Sequence, residues 1–223
     1  GRNATVTAED TVNNPGISVS AKDDTSIVSV AGSLSASGTV AVGLGADVGL
    51  ITKTTKAFID SGVTAHADGD IKVKAESIED ITSVAAGMGA SGTAAVTLDA
   101  SVHILTLTTK AFVGDEDGIG SAGPGHVHAQ GDVIVSADDS TEADKVVGVL
   151  AVAGSAGVGA SGAVTITEKT TEAFIGRGAW VTGEGKSAGN TVNTGRFTPG
   201  PDSTAATFDP NNASGSAGIE TNN

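Results

Sequence analysis

Ser29–Ile59 reads SVAGSLSASGTVAVGLGADVGLITKTTKAFI, and the chain contains this stretch three times. Ser83–Val113, SVAAGMGASGTAAVTLDASVHILTLTTKAFV, is the second copy, and Lys145–Ile175, KVVGVLAVAGSAGVGASGAVTITEKTTEAFI, is the third. No gap is needed within the unit. The offset is 54 residues from Phe58 to Phe112 and 62 from Phe112 to Phe174. Within the first copy one parity carries Val30, Leu34, Val40, Val42, Leu44, Val48 and Leu50. The other carries Ala31, Ser33, Ser35, Ser37, Gly43, Gly45 and Asp47. Successive side chains of a strand point to opposite faces, so a period of two marks a β-strand with one apolar face. A helix would need apolar residues at i, i+3 and i+4 and would lose about 1 kcal/mol at each interior glycine.

A single straight strand of this length would span about 100 Å, well beyond ordinary strands. The stretch is therefore expected to turn near Ser37-Gly38, Gly43 and Gly45, where glycine allows unusual dihedrals and close backbone approach. A repeat of 54 residues is expected to hold three coils of about 18 residues, or two larger ones. The near absence of aromatics points to a thin core of Val, Leu, Ala and Gly: there are five Phe, one Trp and no Tyr.

Working outward from the repeat divides the chain. Residues 1–16 read as the tail of a preceding repeat, so the chain is expected to be a piece of something longer. Repeat one is 17–70, repeat two 71–132 and repeat three 133–186. Repeat two holds an eight-residue surface insertion near 114–128, in GDEDGIGSAGPGHVH. Residues 187–223 lose the alternation and are rich in Gly, Asn, Ser, Thr and Pro; they read as a loop, a disordered tail or an insertion, with Phe197 and Phe208 as candidate pins to the repeat body. Units that each expose a strand edge are stable when stacked. The expected class is therefore all-β, a repeat solenoid in the form of a right-handed parallel β-helix. Phe58, Phe112 and Phe174 would stack in it, as would Ile17, Ile71 and Val133. The alternative is an antiparallel β-hairpin repeat array, with Ser29–Ser37 pairing Thr39–Ile51.

Net charge is −14, from 26 acidic and 12 basic residues, which argues against nucleic acid and anionic membrane as partners. There is no cysteine, hence no disulfide and no thiolate metal site. No 18-residue apolar run occurs, so no transmembrane helix and no membrane insertion are expected.

Acidic turns are the main candidate chemistry. Asp115, Glu116 and Asp117, flanked by glycines, offer several oxygens in a short loop, and calcium takes six to eight. The EF-hand spacing is missing, and solvated turns explain the same residues. His126 and His128 flank Val127 on one side of a strand, but a structural zinc site wants four ligands. The threonines Thr54-Thr55, Thr108-Thr109 and Thr170-Thr171 read as a stacked β-branched ladder. A carbohydrate-cleaving β-helix would need facing carboxylates and aromatic sugar platforms, and Trp180 stands alone. No catalytic set is found and no enzyme activity is expected.

The sequence Ala57-Phe58-Ile59, Val63, Ala65, Ala67, Gly69-Asp70, Ile71, Val73, Ala75 recurs as Ala111-Phe112-Val113, Val127, Ala129, Gly131-Asp132, Val133, Val135, Ala137. This pattern resembles the repeats of giant secreted bacterial adhesins, the filamentous haemagglutinin-like and leukotoxin-like proteins of Gram-negative bacteria. In copy three Gly183-Glu184-Gly185-Lys186 replaces the Gly-Asp step. The resemblance covers about residues 1–186. It implies a right-handed β-helical filament, secreted or at the cell surface, that is structural and adhesive rather than catalytic. Its partners would be a host or neighbouring-cell surface, a glycan, or identical chains. A self-assembling subunit of an extracellular fibre, sheath or matrix, and a carbohydrate-binding β-helix, are the alternative functions.

Overall fold

The computed structural model describes residues 3–10, 15–117, 125–186, 190–197 and 217–222. It opens with a short strand, β1 (Thr5–Ala8). Three equivalent sets follow: β2 (Ile17–Ser37), β3 (Val40–Ile59) and β4 (Thr64–Ala67); β5 (Ile71–Ser91), β6 (Ala94–Val113) and β7 (Gly125–Ala129); β8 (Val133–Ala153), β9 (Ala156–Ile175) and β10 (Ala179–Gly183). Each strand pairs with its equivalent in the next repeat. The sheets run β2-β5-β8, β3-β6-β9 and β1-β4-β7-β10, all parallel. Sequential strands lying in different parallel sheets make a parallel β-helix solenoid. Among the described residues there is no helix, so none is long and apolar enough to cross a membrane.

Each repeat is one coil, not two or three. Its two long strands have 21 and 20 residues. The only reversal between them is Gly38-Thr39 in coil one, Gly92-Thr93 in coil two and Gly154-Ser155 in coil three. The turn at Ser37-Gly38 is thus real, but it is an arch and not a hairpin. β2 hydrogen-bonds to β5 rather than to β3, and the two strands face each other across the interior. The arches also stack, since Gly92 N donates to Ser37 O at 3.2 Å. A Cβ on Gly92 would lie 2.2 Å from the carbonyl oxygen of Gly38, and one on Gly154 2.3 Å from that of Gly92, so the second and third arches require glycine.

Gly43 and Gly45 do not bend the chain. Both lie within β3, and they mark close packing instead. Gly43 faces the hydroxyls of Ser33 and Ser35, and Gly45 makes room for Asp99 of the next coil. None of the five prolines falls in a long strand, so nothing interrupts the ladder.

The register is unbroken from Ile17↔Ile71↔Val133 to Phe58↔Phe112↔Phe174. The phenylalanine rings stack 5.1 and 5.3 Å apart and are nearly parallel. After Asp117 the chain rejoins the stack at Gly125, so His126 and His128 belong to a strand rather than to the insertion itself. β10 gives copy three a strand at Ala179–Gly183 despite its altered sequence afterwards. Within 187–223, where no strand is expected, β11 (Asn190–Phe197) pairs antiparallel with β12 (Ala217–Asn222). Their pairing spans a long intervening segment, and period-two alternation cannot signal it. Phe208 lies outside the described residues.

The core differs from the expected one. Odd-numbered residues of every long strand face the interior. At the base, where the three sheets meet, this places Ile17, Val19, Ala57, Ile59, Ala65, Ile71 and Val73 inside, a conventional apolar core. Further along the blade a small second cluster holds Ile81, Leu105 and Leu107 against Ile27 and Ile51. Beyond it polarity reverses. Inside lie Ser29, Ala31, Ser33, Asp47, Ser83, Thr97, Asp99 and Ser101; outside lie Val30, Leu34, Val42, Leu44, Val48 and Leu50, with Leu34 80% and Val48 76% exposed. The reason is phase: no bulge shifts the strand, so odd residues stay inside from base to tip while the apolar parity changes from odd to even after Ile27.

Stacking imposes local fit as well. A Cβ on Gly49 would lie 2.3 Å from His103 Cδ2, whereas one on Gly148 would meet nothing within 4 Å. Gly49→Ala is therefore expected to cost about 1–3 kcal/mol by overpacking. Gly148→Ala is expected to be neutral or slightly stabilising. Urea midpoints of the two variants check this; equal effects would contradict the stacking.

Candidate functional site

Three groups of chemistry-bearing side chains are brought together by the register. The first is the acidic turn after β6. Glu116 receives Lys56 Nζ of coil one at 2.8 Å and Lys110 Nζ of coil two at 3.4 Å. The hydrogen bond from Lys56 holds its carboxyl below the usual carboxylate range, and Lys110 adds to this. Lys110 also pairs with Glu172 of coil three at 2.9 Å. The Asp115 main chain bridges to Arg177, its N–H donating to the carbonyl at 3.1 Å. Glu116 and the Asp115 main chain, both from the stretch read as calcium ligands, are thus drawn into cross-coil contacts of the scaffold. Among the described residues no group of three or more His, Asp or Glu is arranged to hold a metal ion.

The second group is histidine. His66 and His128 are in direct register, a pairing that the sequence reading treats as only loose. The insertion before β7 hides the phase. Their rings stack 4.7 Å apart, with Nδ1 to Nδ1 at 2.9 Å. One Nδ1 must donate its proton to the other's lone pair for this contact to hold. His128 Nε2 reaches Glu184 at 3.0 Å, and His66 Nε2 lies 3.5 Å from Glu9. His126 turns instead to the edge of Trp180. The i, i+2 pair His126/His128 therefore does not converge on one point.

The third group lies between the two long sheets and was not singled out from sequence. Asp47 accepts hydrogen bonds from Ser29 and Ser83, and from Ser101 Oγ at 3.3 Å; His103 Nε2 is 3.7 Å away. Ser101 Oγ lies 3.4 Å from His103 Nδ1. These are the residue types of a hydrolytic triad, but the roles fail. Ser83 and Ser101 are fully buried, and their hydroxyls bond to the carboxylate directly. A nucleophile must meet a substrate, and this one is closed between sheets. Burial pushes the Asp47 carboxyl up, but the hydroxyls of Ser29 and Ser83 and the nearby His103 outweigh it. The net result is a pKa below the ordinary value.

Nearer the base, Lys53 pairs with Asp23 and with Glu79 Oε1 at 2.8 Å, and donates to Thr25 Oγ1 at 2.8 Å. Glu79 also accepts from Ser77 and from Thr141 Oγ1 at 2.8 Å. Burial favours the neutral amine of Lys53, but the two carboxylates more than reverse this and raise its pKa. In coil three Lys169 pairs with Asp139, which also accepts from Thr109 Oγ1 at 2.9 Å. Lys53, Glu79 and Asp139 thus each have a partner of opposite charge on the facing sheet. Removal of one partner would leave the other uncompensated, at about 3–5 kcal/mol.

Two devices visible in the sequence could have found these groups. Charged residues at inward parity, such as Lys53 and Glu79, are rare in a strand unless paired. Glycines at equivalent positions, such as Gly45 under Asp99 and Gly49 under His103, mark where a neighbouring coil's side chain needs room. In comparisons with known proteins, no family model, no curated protein and no solved structure matches the chain.

The Asp47 geometry sets a pH dependence. Its folded pKa lies below its unfolded value, near 3.9 for a free aspartate. Its contribution to stability is therefore complete above that value and is lost as pH falls through the folded pKa. Asp47→Asn is expected to lower stability at pH 7 by about 1–3 kcal/mol. It should also lose less further stability than the parent between pH 5 and pH 2. Urea titrations at both pH values check this; parallel acid losses in the two proteins would contradict it.

Proposed function

We propose that the chain is a non-catalytic structural segment of a large extracellular filamentous adhesin of a Gram-negative bacterium, acting in surface attachment or scaffolding. One observation carries the reading: every residue of the long strands keeps its register through three coils. A repeat then adds one rung of about 4.8 Å without changing the cross-section, which is how a rod is lengthened. Among the described residues β2 and β3 at one end and β8 and β9 at the other have a strand partner on one side only, so the stack can continue. Outward ladders such as Thr54-Thr108-Thr170 give the rod a repeating surface. Such a surface suits many weak contacts with a cell surface or glycan rather than one deep site. The extracellular placement and the bacterial source rest on the resemblance of the repeat to the filamentous haemagglutinin-like and leukotoxin-like adhesins.

Beads coated with the chain are expected to be retained on cell layers well above beads carrying an unrelated acidic protein. A form with repeat 71–132 duplicated should be retained more strongly still. Retention at background for both forms, on epithelial and on bacterial layers, would overturn attachment as the role. Release of reducing sugar from a glycan panel would overturn the non-catalytic part.

A further inference from the structure

The distal half of the blade carries aliphatic side chains on both outer faces. On β3-β6-β9 they form columns in register: Val42-Val96-Val158, Leu44-Leu98, Val48-Val102-Val164 and Leu50-Ile104-Ile166. Leu44 is 68% and Leu50 74% exposed. Between the leucine and valine columns runs a column of small residues, Ala46-Ala100-Gly162. Ala100 and Gly162 of this column, with Leu44, Leu98 and Ala160, line a groove of about 340 Å³. The outward positions from Val40 to Leu50, and their equivalents in the other coils, carry no charge. The carboxylates of this region, Asp47 and Asp99, face inward.

We infer that the β3-β6-β9 face is a docking surface for a second copy of this chain, packed face to face. A two-fold axis parallel to the stacking direction lays the Leu44-Leu98 ridge of each copy into the Ala46-Ala100-Gly162 groove of the other. Because both faces share the same rung spacing, the ridge and groove stay in step along the whole stack. The three strands from Val40 to Leu50 present roughly 500 Å² of flat area per copy. Pairing removes roughly 1,000 Å² in total, at the lower end of what a specific interface buries. Each added repeat enlarges it. The charges of both copies stay in water, since the outward charged side chains of this sheet, Lys56, Lys110, Glu168 and Glu172, lie beyond the band, toward the base.

A lipid bilayer is the other apolar solvent to consider, and eleven residues would span about 36 Å, enough to cross. The open edges argue against it. Among the described residues the outer strands have unpaired N–H and C=O groups along one side, and hydrocarbon offers these no hydrogen bonds. Pairing of two copies leaves those edges in water. The inference stands on the geometry of the face and not on the adhesin reading, so either can fail alone.

Sedimentation velocity from low to high micromolar concentration tests it. The parent chain is expected to pass reversibly from monomer to dimer. Leu44→Asp/Leu98→Asp should weaken the association at least about tenfold, because a carboxylate would be buried without a partner. Thr54→Asp/Thr108→Asp, on the same face but nearer the base, should leave it unchanged. All four positions lie on the outer face, where water and salt screen the paired carboxylates, so the variants should fold, which far-UV circular dichroism checks. A parent chain that stays monomeric, a dimer indifferent to Leu44→Asp/Leu98→Asp, or flotation of the parent with phosphatidylcholine vesicles would overturn the inference.

Discussion

Everything in this molecule depends on the in-register parallel ladder, which places each residue directly against its equivalent one repeat away. Such a ladder is generous to apolar and aromatic side chains, which stack on themselves, as the phenylalanine column does. It is severe on charge. Two like charges about 4.8 Å apart repel by roughly 3 kcal/mol even at an effective dielectric constant of 20. The inward columns of the long strands avoid this throughout. Lys53 and Lys169 are separated by Leu107, and Asp23 and Asp139 by Ser77; Glu79 sits between Thr25 and Thr141. Asp47, Asp99 and His103 each stack on uncharged neighbours. Repetition of the backbone therefore coexists with deliberate non-repetition of buried charge. For Lys53 and Lys169 the opposite charge is found across the interior, on the facing sheet.

The second consequence is the exchange of polarity along the blade. At the base, three sheets enclose a space wide enough for Ile and Val. Toward the arch only two sheets face each other, joined by a two-residue turn. The space between them accepts Ser, Ala, Gly and Thr. Most larger aliphatic side chains in those strands then lie outside, Val149 of the third coil, facing Gly159, being an exception. Exposed apolar area on this scale is unfavourable for a lone soluble molecule and is a usual mark of a contact surface. The interior is correspondingly held by hydrogen bonds to Asp47 and Glu79 rather than by apolar burial alone. Some of its buried polar atoms, Thr97 Oγ1 and Asp99 Oδ2 among them, have no protein partner.

Much of this was legible from residues. The identical phase of the three copies marked the all-β class and pointed to the parallel register and the phenylalanine column, with an antiparallel hairpin array as the alternative that the structure excludes. The arch at Ser37-Gly38 was visible because a Ser-Gly-Thr reversal lies at the centre of the unit. The coil count was not, since typical strand lengths argued for more turns and Gly43 and Gly45 looked like bends. Their true role depends on side chains from another coil, which no local pattern shows. The inward face was not legible for a related reason. Alternation tells which residues share a face but not which face is inside. That is settled at Ile17, Val19 and Ala21, far from the repeated stretch. The paired apolar steps Ile27-Val28, Leu50-Ile51 and Ile104-Leu105 mark the change of parity and were the available signal.

The exchange of inside and outside along one continuous strand is the central claim, and cysteine scanning of β3 tests it most directly. The chain has no cysteine of its own, so each introduced thiol reports alone. At low protein concentration, cysteines at Val42, Leu44, Val48 and Leu50 should react rapidly with a maleimide. Those at Ala41, Gly43 and Asp47 should react slowly. The reverse order, with the aliphatic positions protected in the monomer, would contradict both the packing of the distal half and the docking face built on it.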